Sequence, residues 1–233
     1  MISLVLEVSI IYFKVYTTHP DLAKRKESSY ERVDSKSFTE IISLNPAWIT
    51  SISISFLYAN ILSPSAIVIT FLSSKGMSTA LIAVLTAFCV LFGLLATITF
   101  PRLVPRFGLI NVGFYSSWFQ TLSITLPCLV FLIDPSFGPL GLSLFCIGIG
   151  LSRFGLWSVD LAQTQILQDA YPSDIGSVSG LQVSLQNFFE LVGYSQTVIW
   201  PSPVDFLYPC LVCLCALFIS SFLFSLYLVR AKR

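Results

Sequence analysis

Long apolar segments are the feature that most constrains what this chain can fold into. A helix needs about 20 mostly apolar residues to cross a bilayer. Six segments meet or approach that length, at residues 48–72, 79–100, 109–133, 140–167, 178–200 and 206–229. Clusters of Pro, Gly, Ser and Asp separate them, and such clusters break helices. Backbone polar groups in lipid must be satisfied within the protein, so runs of this length favour helices over strands. The sequence predicts an all-α transmembrane protein.

Composition excludes several classes of function. Charged residues make up 11 % of the 233 positions, whereas a soluble domain carries about 25 %. Most of the surface is therefore expected to meet membrane lipid. The net charge of +1 gives no argument for a nucleic-acid partner. The single histidine, His19, lies outside the apolar segments, which leaves no His-based catalytic centre. We predict that the chain is not an enzyme and has no bound cofactor.

Basic residues orient the predicted helices. Arg102 and Arg106 lie between the second and third segments, and Arg230, Lys232 and Arg233 end the chain. If the six segments alternate in direction, these positions and the basic stretch before residue 48 share one side of the membrane. The positive-inside rule makes that side cytoplasmic. The host membrane is left open.

The predicted organisation has four parts. Residues 1–16 are expected to form a partial transmembrane helix, because the apolar stretch is too short to cross a bilayer comfortably. Residues 17–47 are polar and charged, which predicts a cytoplasmic linker. Residues 48–229 are expected to form a six-helix transmembrane lobe. Residues 230–233 form a cytoplasmic tail.

Polar residues inside apolar segments mark candidate transport residues, because ionisable groups in lipid are costly. Arg153 and Asp160 are seven positions apart, about two helical turns, so they share a helix face. Polar residues at intervals of four form a second stripe in the next segment. These candidates are Arg153, Asp160, Gln163, Gln182, Gln186 and Glu190. Two facing stripes would line an aqueous cavity, and interhelical hydrogen bonding is the alternative.

A proline interrupts the first apolar segment. Pro64 follows Asn60 by four positions and precedes Ser65. Proline removes a backbone hydrogen bond, which either kinks the helix or breaks it. A broken helix exposes carbonyl groups that can bind a cation. The sequence leaves both outcomes open.

The six cysteines all fall inside apolar runs, which predicts small buried core residues. Cys210 and Cys213 have a Cys-x-x-Cys spacing, but no second pair or nearby histidine completes a zinc tetrahedron. We expect neither a structural zinc site nor a disulfide framework.

Several motifs resemble those of the ferroportin family, solute carrier family 40. The sequence SRFGLWSVDL at 152–161, followed by QILQ at 165–168, is similar to that family's A-R-x-G-L-W-x-x-D-L-x-x-x-Q-L-L-Q signature. Residues 179–186, then Glu190 and Leu191, are similar to N-G-V-Q-x-S-M-N and D-L. Residues 201–206 match P-x-P-x-x-F, and residues 14–23 resemble K-V-Y-x-x-x-P-x-L-A.

The resemblance implies the C-terminal lobe of a major facilitator superfamily transporter, with ferrous iron or another divalent cation as the exported substrate. The family's cysteine and histidine ligands fall at Ala66 and Gly193, so the metal ligands here are unknown. Asp160 and Asp174 keep acidic members of the family's cytoplasmic gate, whereas a gate arginine falls at Ile175.

Two functions follow from this reading. The first is export of a divalent metal ion by alternating access, with the other lobe supplied by a longer product or a partner chain. The second is a non-transporting, truncated membrane protein that associates with a full-length carrier or is degraded. Polar stripes left facing lipid would cost several kcal/mol per unpaired group, which motivates the second reading.

Overall fold

The computed structural model describes residues 45–133 and 138–232 of the chain. The predictions for residues 1–44, a partial helix and most of a linker, lie outside these ranges. Within them the chain is helical and contains no strand, as predicted. Seven α-helices follow one another: α1 (Trp48–Tyr58), α2 (Ala66–Ser74), α3 (Thr79–Phe107), α4 (Leu109–Ile133), α5 (Pro139–Ala170), α6 (Ile175–Ile199) and α7 (Leu207–Ala231). A 3-10 turn, Pro203–Phe206, precedes α7.

The helices pack in an order that differs from their order in the chain. Helix α5 packs most extensively against α4 and then against α3, while α7 packs against both α4 and α1. Helix α6 packs mainly against α1. One apolar cluster, formed by Phe100, Val112 and Ala162, lies where α3, α4 and α5 meet. Helix α1 thus contributes most of the packing of α6 against the lobe.

Small hydroxyl residues join α7 to α1 and α4. The Ser53 hydroxyl donates to the Ser220 carbonyl at 2.8 Å. The Ser221 hydroxyl lies 2.8 Å from those of both Ser117 and Thr121. All five side chains are buried. In lipid, where apolar contact between helices is weakly driven, small residues and interhelical hydrogen bonds of this kind hold helices together.

The outer surface of the lobe is apolar. On α3, Val84, Leu91 and Ile98 are spaced by seven residues and are at least 60 % exposed. Of the described helices, α3, α5 and α7 are long and apolar enough to cross a membrane. Helices α1 and α2 are each too short because the first segment is broken. The six-span topology and its orientation remain predictions.

Helix α3 is longer than the sequence predicts. Residues 101–108 were expected to form a loop because they contain two prolines, but α3 includes Pro101 and Pro105 and ends at Phe107. Helices in membranes tolerate proline where neighbouring groups compensate for the lost hydrogen bond. Gly108 ends the helix with a φ of 81°, and its N–H donates to the Val104 carbonyl at 2.8 Å.

The cysteine prediction is correct in part. All six cysteines are free, and Cys89, Cys128, Cys210 and Cys213 are buried. Cys146 is half-buried and Cys215 is exposed, so the expectation of a core position was wrong for Cys215. It lies two positions after Cys213 on α7, which turns its side chain away from the interior.

We predict that Gly155→Ala destabilises the lobe. A methyl group at Gly155 would lie 2.7 Å from the Cβ of Gln120 and 2.9 Å from its backbone nitrogen, so α4 and α5 would have to separate. We expect a loss of about 1–3 kcal/mol, seen as a lower midpoint of thermal unfolding in detergent. Gly180→Ala is the matched control because nothing lies within 4 Å of its added methyl group. Equal midpoints for the two variants would contradict the packing argument.

Candidate functional site

The first apolar segment is broken rather than kinked. Helix α1 ends at Tyr58 and α2 begins at Ala66. In between, the Ser63 N–H donates to the Ile61 carbonyl at 2.8 Å, and the Ser65 N–H donates to the Ser63 carbonyl at 2.6 Å. Pro64 has no N–H to donate. The break therefore leaves backbone groups that residues outside the helical ladder must satisfy.

Asn60 satisfies one of these groups from within the break. Its side-chain oxygen accepts a hydrogen bond from the Leu62 N–H at 2.9 Å, and its side-chain nitrogen has no hydrogen-bond partner among the residues that the structure describes. The Ser65 hydroxyl approaches the Ile61 carbonyl at 3.5 Å. The sequence candidates Asn60, Pro64 and Ser65 therefore all belong to the break, and each shapes its backbone.

Helices α6 and α7 also meet the break. The Cys213 sulfur accepts a hydrogen bond from the Ile61 N–H at 3.3 Å and lies 3.9 Å from the Ala59 carbonyl oxygen. A methyl group at Gly193 would lie 2.8 Å from that same carbonyl oxygen. Gly193 thus permits the close approach of α6, and Cys213 on α7 replaces a lost backbone partner.

Arg153 and Asp160 contact different groups. The Arg153 Nη2 donates to the Leu62 carbonyl at 3.2 Å, and its Nε has no hydrogen-bond partner. Asp160 accepts a hydrogen bond from the Tyr58 hydroxyl at 3.4 Å. Among the described side chains, no ion pair joins Arg153 to Asp160, although their spacing places them on one face. Both contacts instead connect α5 to the first segment, at or beside the break.

A cavity of about 130 Å³ lies beside the break. Its polar lining comes from three elements. These residues are Tyr58, Asn60 and Ser63 from the first segment, Arg153 from α5, and Glu190 and Tyr194 from α6. The Tyr194 hydroxyl donates to the Glu190 carboxylate at 3.1 Å. The arrangement places a carboxylate, an amide and irregular backbone around a space large enough for a small hydrated ion.

Both polar stripes contact α1. The Gln163 amide donates to the Ser51 hydroxyl at 3.5 Å, and the Gln182 amide donates to the Ser51 carbonyl at 3.4 Å. Gln186 is buried with 8 % of its surface exposed. Gln163 and Gln182 make interhelical hydrogen bonds to α1, while Arg153 from one stripe and Glu190 from the other line the same cavity.

Asp174 lies apart from the cavity. It immediately precedes α6, where its N–H donates to the Tyr171 carbonyl at 3.3 Å. The Tyr171 hydroxyl donates to the Asn45 carbonyl at 3.1 Å, which connects this loop to the start of the described lobe. Burial raises the pKa of the Tyr171 phenol, and Tyr227 raises it further, so the hydroxyl keeps its proton at neutral pH.

Side-chain metal ligands are sparse. The described residues contain no cluster of three His, Cys, Asp or Glu side chains that could hold a metal ion. Ala66 lines a separate groove of about 270 Å³ near Trp200, and Gly193 packs on backbone. A cation beside the break would therefore depend on Glu190 and on amide or backbone oxygens.

Sequence reasoning missed three residues at the site. Cys213 was interpreted as core, and its role at the break has no sequence signal because it depends on how α7 packs. Tyr58 was missed for the same reason. Tyr194 follows Glu190 by four positions, a spacing that places helix side chains in contact, so it could have been found.

Comparison with known proteins decides the family. The family model Ferroportin1 (FPN1) matches residues 43–217, most of the chain. The chain belongs to the ferroportin family. This is a family of transporters rather than enzymes, which agrees with the prediction made from the sequence.

Ferroportin relatives are similar over only part of their own length. Solute carrier family 40 member 1 of Oryza sativa subsp. japonica is 31 % identical over 157 residues, which cover 66 % of this chain and 32 % of the relative. Solute carrier family 40 member 1 of Arabidopsis thaliana is 29 % identical over 182 residues. These cover 78 % of this chain and 34 % of the relative. Ferroportin of Rattus norvegicus is 22 % identical over 215 residues, covering 69 % and 38 %. The chain thus spans about a third of these relatives.

Solved ferroportin homologues share the fold. A bacterial homologue of the iron transporter ferroportin in an outward-facing state has a TM-score of 0.75 at 21 % identity, covering 86 % of this chain and 49 % of the homologue. A bacterial homologue in the inward-facing state has a TM-score of 0.73 at 24 % identity. The match covers 78 % of this chain and 45 % of the homologue. The chain therefore has the fold of about half of these homologues.

We predict that Cys213→Ala loosens the break. The Ile61 N–H would lose its partner, and a buried unsatisfied N–H costs about 1–3 kcal/mol. We expect faster hydrogen exchange at residues 59–63 and a lower unfolding midpoint, with partial recovery in Cys213→Ser. Cys215→Ala, on the exposed side of α7, is the control. Exchange at 59–63 that matches the unaltered protein would refute the role of Cys213.

Proposed function

We propose that this chain acts as the C-terminal lobe of a carrier that exports Fe²⁺ or another divalent cation by alternating access. One observation carries the proposal: in a ferroportin-family lobe, a broken helix and the carboxylate of Glu190 line one cavity. Broken membrane helices offer backbone carbonyls to cations. Carboxylates within membrane helices are costly and mark ion pathways.

The oxygen chemistry of the cavity supports a hard or borderline cation. Glu190 would contribute its carboxylate, and the break would contribute amide or backbone oxygens near Asn60. Gln186 lies one helical turn from Glu190 and would add a further oxygen. Carboxylate and carbonyl ligands suit harder divalent ions, whereas sulfur ligands favour softer ones. The buried Cys213 thiol is already engaged with the break.

Alternating access would depend on contacts between α5 and α1, such as the hydrogen bond from Tyr58 to Asp160. We assign Asp160 to the gate, since its bond to Tyr58 connects α5 to the end of α1. Asp174 would act in the same gate from the start of α6. Opening would separate α1 from α5 at these contacts while Glu190 keeps the substrate.

The second candidate is a membrane protein that binds a full-length carrier without transporting. The exposed faces of the described lobe favour it: Phe188, Leu191 and Val198 on α6 are all at least 59 % exposed, beside the polar cavity. A helix with both apolar and polar groups exposed fits against another lobe better than against lipid. Co-precipitation with a full-length relative, without metal efflux, would support this candidate over the first.

We predict that Glu190→Gln weakens divalent-cation binding at least about tenfold, because the cavity loses its carboxylate. The measurement is Mn²⁺ binding to the purified chain by electron paramagnetic resonance. Asp169→Asn is the matched control, since this carboxylate lies exposed near the end of α5. Equal Mn²⁺ affinities for Glu190→Gln and the unaltered chain would remove Glu190 from the site.

We also predict that Asp160→Asn slows efflux more than it weakens binding. Asparagine keeps the size of the side chain and an oxygen that can accept the Tyr58 hydrogen bond, but it removes the negative charge that strengthens this bond. The gate rather than the cavity is therefore altered. Fe²⁺ efflux would be measured in cells that express the chain together with the first lobe of a relative. Efflux that survives both Asp160→Asn and Glu190→Gln would contradict these residue assignments.

A further inference from the structure

The guanidinium of Arg153 lies inside the lobe and forms no ion pair with any acidic side chain in the described part of the chain. Its side chain is buried, with 9 % of its surface exposed. Its Nη2 donates to the Leu62 carbonyl, and the buried Nε has no partner among the described residues. A buried charge is normally paired, because leaving water costs several kcal/mol per ion. Burial of the Arg153 charge without an ionic partner therefore costs several kcal/mol of desolvation free energy.

Leu62 belongs to the break, so Arg153 contacts the same kind of group that a cation would use. Within a regular helix this carbonyl would accept a hydrogen bond from the N–H four residues later. That position is Ala66, the first residue of α2, which follows a non-helical segment. The guanidinium thus takes the place of a missing backbone donor and brings a positive charge to the break.

Arg153 also lines the cavity that contains Glu190 and Asn60. A divalent ion in this cavity would lie within a few ångströms of the guanidinium. Two like charges at that distance, in surroundings of low dielectric constant, repel each other by more than the equivalent of a tenfold change in affinity. The cation and the guanidinium cannot both lie at the break at low free energy.

We propose that Arg153 is a tethered cation that competes with the substrate: its guanidinium binds the Leu62 carbonyl when the cavity lacks a metal ion, and metal binding displaces it. This inference rests on the proposed function and adds a form of regulation to the same site. It explains why the arginine is held by a backbone carbonyl rather than by a carboxylate. A neutral carbonyl releases a guanidinium more readily than a buried ion pair does.

The test uses Mn²⁺ binding to the purified full chain. Arg153→Gln removes the charge and keeps a side chain that can donate to the Leu62 carbonyl. We expect its Mn²⁺ affinity to rise at least about tenfold. Arg153→Lys keeps a positive charge in the cavity, so its affinity is expected to stay within about threefold of the unaltered chain.

A second measurement does not depend on the glutamine variant. Arg153→Ala leaves room for a free guanidinium ion. We expect roughly 10 mM guanidinium chloride, far below the molar concentrations that unfold proteins, to compete with Mn²⁺ in this variant. Tetramethylammonium chloride at the same concentration carries the charge but cannot donate a hydrogen bond, so it should compete less.

The outcomes separate this inference from the proposed function. If Mn²⁺ binds the unaltered chain in a Glu190-dependent manner but neither Arg153→Gln nor guanidinium changes its affinity, the competition is refuted and the cation site stands. Weaker binding in Arg153→Gln would mean that Arg153 holds the ligand, which also overturns competition. Absence of Mn²⁺ binding in every variant overturns the cation site and the competition with it.

Discussion

The rest of the site depends on one constraint: the chain between α1 and α2 leaves the helical hydrogen-bond ladder in the middle of a predicted span. Water is scarce there, so the freed backbone groups need partners within the protein. Two other helices supply such partners, and a third packs closely against the break. Helix α7 brings Cys213 to the Ile61 N–H, α5 brings Arg153 to the Leu62 carbonyl, and α6 approaches the Ala59 carbonyl through Gly193. The break therefore fixes the identity of residues far from it in the chain.

Some buried polar atoms at and near the break have no hydrogen-bond partner among the described residues. The Asn60 amide nitrogen, the Arg153 Nε and the Gln182 amide oxygen are buried without hydrogen-bond partners. Such atoms are rare in folded proteins, and leaving each one unsatisfied costs about 1–3 kcal/mol. The hydroxyl groups around Ser221 are paired, whereas Gln120, at the contact between α4 and α5, also has both amide atoms unpaired among the described residues. Unpaired groups are therefore not confined to the break.

The class of fold could be predicted from the sequence because lipid allows few alternatives. The segment 109–133 even matches α4 at both ends. Proline was a less reliable guide, since Pro64 breaks its helix whereas Pro101 and Pro105 lie within α3. The difference depends on tertiary contacts: Cys213 and Arg153 satisfy the freed groups at the break, and no local pattern encodes them. For the same reason the hydrogen bonds that Gln163 and Gln182 make to Ser51 on α1 were not predicted.

The close packing at Gly193 excludes a side-chain metal ligand at this position. The family resemblance places a histidine ligand at this position, yet any Cβ here would lie 2.8 Å from the Ala59 carbonyl oxygen. A side-chain ligand at 193 and the observed approach of α6 to the break therefore exclude each other. With Ala66 likewise unable to ligate, Glu190 is the remaining acidic group of the cavity, surrounded by amide and backbone oxygens. Such a donor set would discriminate weakly among hard divalent ions, so under the proposed competition the charge of Arg153, rather than ligand softness, would be the main control on whether a metal ion is bound.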